Sequence, residues 1–129
     1  MNQQLSLISI VVDEYDRAIS FYTEVLGFNL IEDTKLSEVK RWVVVKPEGE
    51  GTCGLLLAKA AGDEQVSRIG NQTGGRVFLF LHTDDFKRDH KRLTDKGVEF
   101  IRGPVEESYG IVGVFKDLYG NLWDLIQKH

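Results

Sequence analysis

The sequence has a single cysteine, no excess of basic charge and no long apolar run. Each shortage excludes a class of protein. The lone Cys53 excludes an internal disulfide and a zinc site built from several thiolates. Lysine and arginine total 16 against 20 aspartates and glutamates, a formal charge of −4. That mixed, mildly acidic surface lacks the basic footprint of a dedicated nucleic-acid binder. Apolar runs such as Trp42–Val45 and Leu55–Ala58 are far too short to span a membrane. Residues 1–12 hold neither a basic n-region nor a small-residue cleavage site, so no signal peptide is expected and the protein reads as cytoplasmic.

What is present fits one small globular domain. The chain has 129 residues, of which 42% are apolar, enough for one modest core and too many for disorder. Leu5–Val12 alternates as a strand, with Leu5, Leu7, Ser9 and Val11 on one face. Asp13 reads as a helix N-cap. Tyr15, Ala18, Ile19, Tyr22, Val25 and Leu26 follow at helical spacing, and Gly27 is placed to end the helix. Phe28–Ile31, Arg41–Val45 and Leu55–Ala58 read as three further strands. Residues 61–75 are small, polar and turn-rich, the composition of a connector.

Then the pattern restarts. Arg76–His82 reads as a strand, and Asp84 or Asp85 caps a helix that runs through Phe86, His90 and Leu93 to Gly97. Strands follow at Val98–Ile101, Val112–Phe115 and Leu122–Ile126. A shift of about 71 residues carries Asp13 onto Asp84, Arg17 onto Arg88 and Thr23 onto Thr94. The order strand, capped helix, glycine and three strands occurs twice. The expected fold is α+β: tandem βαβββ modules, 1–60 and 76–129, forming cupped, half-barrel mixed sheets.

Two stretches carry a family resemblance. Asp13-Glu-Tyr-Asp-Arg-Ala-Ile-Ser-Phe-Tyr-Thr-Glu-Val-Leu-Gly-Phe28 resembles the first helix of the vicinal oxygen chelate superfamily, which contains glyoxalases, bleomycin resistance proteins and extradiol dioxygenases. Phe115-Lys-Asp-Leu-Tyr-Gly-Asn-Leu-Trp-Asp-Leu125 is similar to the family's ending, and Gly97-Val-Glu-Phe-Ile101 is a third match. The resemblance implies a small-molecule cavity enclosed by the cupped sheets, and a homodimer. It also implies, for the family's enzymes, a divalent metal held by His and Glu from the first and last strands of each module. Carried across, those positions fall on Leu7, on Phe78, within Leu55–Leu57 and on Asp124. Three of the four are apolar, and one carboxylate does not hold a divalent ion against water. No metal and no cofactor are therefore expected.

The remaining candidates are ligand-binding residues, each with a structural alternative. Trp42, Phe78, Phe80 and Tyr109 suit a stacking pocket or ordinary core packing. Trp123 has the opposite parity to Asp124 and is expected against the helix. His82 shares a face with Arg76, Phe78 and Phe80 by period-two alternation, and serves either as a ligand donor or general base or as a strand-end histidine bonded to a loop. Asp124 accepts a ligand hydrogen bond, acts as a base, or pairs with Arg76 or another cation. Arg76 holds a ligand carboxylate or phosphate, or makes a surface ion pair. The run Lys87, Arg88, Lys91 and Arg92 is a solvated helix face.

These residues favour a metal-independent small-molecule-binding protein of the glyoxalase/bleomycin-resistance type. Its ligand would be an aromatic or amphipathic compound in the cavity between cupped sheets. The alternative is a lyase or isomerase of the same superfamily, lactoylglutathione-lyase-like, with His82 and Asp124 moving protons at a non-standard site. A third reading is a protein-interaction module. Neither nucleic acid nor membrane is an expected partner.

Overall fold

The first strand sorts its residues by face. In a computed structural model describing residues 1–129, β1 (Leu7–Val12) buries Ile10 and Val12 completely and leaves Leu7 and Ser9 exposed. The buried set packs toward α1 (Tyr15–Ser20), which continues as a π-helical turn, Phe21–Val25. Tyr15, Ala18, Tyr22 and Leu26 are its buried stripe. The Leu26 N–H reaches back five residues to the Phe21 carbonyl, which widens the turn. The Thr23 hydroxyl donates to the Ile19 carbonyl at 2.7 Å, occupying an acceptor in the same turn. Gly27 then adopts φ +79°, and the Phe28 N–H closes on the Tyr22 carbonyl.

The first compact unit, Met1–Ile69, continues with β2 (Asn29–Lys35), β3 (Arg41–Lys46), β4 (Gly54–Lys59) and α2 (Asp63–Ser67). Its sheet has the order β1-β4-β3-β2, with β1 parallel to β4 and the other pairs antiparallel. Arg41 ties three elements together. Its guanidinium contacts Asp33 of β2 at 2.6 Å and Asp16 of α1 at 2.9 Å, and lies over the Tyr15 ring.

The second unit, Gly70–His129, repeats the plan. It comprises β5 (Val77–His82), α3 (Phe86–Asp95), β6 (Phe100–Glu107), β7 (Gly110–Lys116) and β8 (Leu122–Lys128). Its sheet order, β5-β8-β7-β6, matches the first, with the outer parallel pair in the same place. The repeat extends to surface pairs: Arg17 binds Asp13 at 2.6 Å, and Arg88 binds Asp84 at 2.9 Å. An aromatic chain fills this core, from Phe86 through His90, Phe100 and Phe115 to Trp123, with ring centroids 4.5–5.8 Å apart. Trp123 is buried on the helix side, as its parity requires.

Local features depart from the sequence expectations. Asp13 does not cap the first helix. Glu14 occupies the extended N-cap position without a side-chain bond, and Asp13, one residue earlier, pairs with Arg17. In the second unit Asp85 is the cap, accepting from the Arg88 N–H at 3.0 Å. β2 runs on to Lys35 although every residue in it is exposed, since an edge strand needs no apolar alternation. β6 continues past Ile101 through Gly103-Pro104, where its register shifts. The turn-rich connector contains α2, a single helical turn whose Glu64 lies 3.9 Å from Arg68.

Candidate functional site

Each sheet presents one face away from its helix, and strand pairing fixes what that face carries. In the first sheet Leu7 pairs with Gly54, Ser9 with Leu56 and Val11 with Ala58. Val44 also pairs with Leu56. Paired residues share a face, so Leu7, Ser9, Val44 and Leu56 lie together. Trp42, two residues before Val44, belongs to the same face. Leu55 and Leu57 are buried on the opposite side with Ile10. The fourth-strand position that the sequence confined to Leu55–Leu57 is therefore Leu56.

A cavity of about 490 Å³ opens at the end of this sheet, where β3 begins and β4 finishes. It wraps round that end: Trp42, Leu56 and Ala58 line it from the open face, and Arg41 and Leu57 from the helix side. Tyr15 of α1 closes the helix side, the β2–β3 hairpin tip contributes Val39 and Lys40, and Lys59, Ala60, Ala61 and Gln65 form the rest. The volume suits a small organic ligand, as do apolar walls with a few polar groups. Trp42 is half-buried here.

The second sheet carries the remaining candidates. Phe80 pairs with Asp124 and His82 with Ile126 across the β5–β8 ladder. Val114 pairs with Asp124 from the other side, and with Arg102 in turn. Phe80, Asp124, Val114 and Arg102 therefore line one face, with His82 and Ile126 a step further along. Phe80 is 62% exposed, and His82 is also exposed. Burial pushes the Asp124 carboxyl above the usual carboxylate range, opposed by the nearby positive charge of Arg102. Phe78 is half-buried and sits where the register shifts between Val77 and Leu79, so strict alternation does not extend back through it to Arg76. Arg76 is exposed just before β5. Tyr109 is exposed at the β6–β7 turn, where its carbonyl accepts from the His129 N–H at 3.1 Å.

A second cavity, of about 300 Å³, lies on the helix side of this unit between Phe86, His90, Pro104 and Ile111. It contains none of the sequence candidates. Trp42 and Leu56 thus meet in one unit, and Phe80, His82 and Asp124 in the other. The sequence places Tyr15 only in the helix's apolar stripe and singles out none of Lys40, Lys59 and Gln65. Nothing in the local pattern marks these as site residues, because their common position depends on where β4 ends.

The residues at the family's metal positions do not fit a divalent cation. Leu7, Leu56 and Phe78 offer no lone pair, and Asp124 supplies one carboxylate. No group of three or more His, Cys, Asp or Glu side chains is arranged to hold a metal. No helix is long and apolar enough to cross a membrane.

Comparison with known proteins agrees with the duplicated topology. The chain is 57% identical over 128 residues to an uncharacterized protein of Shewanella frigidimarina (strain NCIMB 400), covering 98% of this chain and 95% of that protein. Among solved structures, UcmS2 is 31% identical with a TM-score of 0.83, covering 98% of both chains. TnmS3, an antibiotic binding protein from Streptomyces sp. CB03234, is 29% identical with a TM-score of 0.78, covering 99% of this chain and 98% of that one. The profile of the Glyoxalase/Bleomycin resistance protein/Dioxygenase superfamily matches residues 4–125, nearly the whole length, and the chain belongs to that superfamily.

Proposed function

We propose that the protein binds a small aromatic or amphipathic molecule without a metal, against the open face of the first sheet. The carrying observation is that face itself. Where the superfamily's enzymes would place metal ligands it has Leu7 and Leu56, and beside Leu56 opens a cavity lined by Trp42. Apolar walls and an indole suit stacking and shape recognition, not Lewis-acid chemistry. The likeness to TnmS3 supports this reading. We further propose that the working form is a homodimer in the cytoplasm. The exposed apolar residues Leu7 and Phe80 suit contact with a second copy.

Titration of chelator-treated protein with two- and three-ring aromatic compounds, such as 2-naphthol and acridone, tests the reading. Binding in the micromolar range with a raised Tm is expected. Binding that appears only after a divalent metal is restored would overturn it. The second reading, a proton-transferring lyase or isomerase, has one observation in its favour: Asp124 is a carboxyl whose proton affinity is raised by burial, on the same face as His82.

A further inference from the structure

We infer that the cavity beside Trp42 selects anionic aromatic ligands, those carrying a carboxylate, sulfonate or phenolate on a flat apolar body. This deepens the binding reading above and rests on it. The argument is a balance of hydrogen-bond donors and acceptors. The Tyr15 hydroxyl accepts the Arg41 backbone N–H at 3.1 Å, which leaves its own proton to donate. The Gln65 Oε1 accepts the Ala61 N–H at 2.9 Å, which leaves its NH₂ end free of that contact and able to donate.

Charge points the same way. Lys40, on the Trp42 side, and Lys59, which follows Leu57 on the helix side, both line the cavity and take part in no ion pair. Arg41 also lines it, but Asp16 and Asp33 already neutralise its guanidinium. No aspartate or glutamate lines the cavity. The acidic residues of the adjoining α2 stay outside it, with Glu64 directed toward Arg68. The chain as a whole is acidic, at −4, so this cationic, donor-rich lining is local. Both lysines are exposed and their ammonium groups hydrated, so a neutral ligand gains nothing from them, whereas an anion gains a modest, salt-screened attraction to each.

The test is isothermal titration of the full chain with three ligands of one shape: 2-naphthoate, neutral 2-naphthamide and cationic 2-naphthylmethylammonium. At low salt, 2-naphthoate is expected to bind about tenfold more tightly than the amide, with the ammonium weakest. The preference should shrink in about 0.5 M salt. In a Lys40→Met/Lys59→Met double variant it should fall to within about twofold. Gln65→Glu, which adds a carboxylate at the exposed rim, should also reduce it, and circular dichroism checks folding in both variants. Equal binding of naphthoate and naphthamide overturns the charge selection while leaving the binding reading intact. Failure of all three ligands to bind overturns both.

Discussion

Phe80 and Asp124 are direct neighbours on the parallel β5–β8 ladder, so an exposed phenyl ring stands beside a half-buried carboxylate. Burial raises the pKa of that carboxyl, opposed by the positive charge of Arg102. A carboxyl with a raised folded-state pKa favours the folded protein below its unfolded value of 3.8. The advantage is lost as pH rises through the folded value. Asp124→Asn removes the charged form, so at pH 7 it should raise Tm by on the order of 3 °C. Near pH 3 the two proteins should melt together. Thermal melts across that range check it, and an Asn variant that is less stable at pH 7 points to a partner for the ionised carboxylate.

Asp117 organises the turn before β8. Its Oδ1 accepts the N–H groups of Tyr119, Gly120 and Asn121, and its Oδ2 accepts from the Asn121 amide and the Trp123 indole. It is 6% exposed, and the Asn121 and Trp123 donors are buried with it, so water does not readily replace its bonds to them. Asp117→Ala should cost about 3 kcal/mol or more, measured by urea denaturation. A loss below about 1 kcal/mol would mean that the turn holds without it.

Trp42 is half-buried and lines the cavity, so its removal should separate binding from folding. Trp42→Ala should weaken 2-naphthoate binding by about 30-fold while retaining a cooperative melt. Unchanged affinity would move the ligand elsewhere.

Metal removal should be without effect. Protein treated with a chelator should keep its Tm and its affinity for 2-naphthoate, and elemental analysis should find no stoichiometric Ni, Zn, Fe or Mn. A tightly bound equivalent of any of them contradicts the metal-independent reading.

Much of the fold is legible in the sequence because the module is written twice. The buried spacing Tyr15, Ala18, Tyr22 and Leu26 and the glycine after it are strong periodic features, and they recur around Phe86, Leu93 and Gly97. Edge elements were less visible. Nothing apolar marks Glu32–Lys35 as strand, and Gly103-Pro104 disguises the continuation of β6. The site was legible only where alternation survived. Asp124, Phe80 and His82 share a face as alternation implies, but the register shift at Phe78 breaks the rule before Arg76. Lys40, Lys59 and Gln65 meet only because three separate elements end near one another, and no local pattern records that.

The most direct test of metal-independent binding at Trp42 is a two-dimensional amide NMR titration of chelator-treated protein with 2-naphthoate. Saturable shifts centred on Trp42, Leu56, Ala58 and Ala61 are predicted. Shifts confined to Phe80, His82 and Asp124, or shifts that require an added divalent cation, would contradict it.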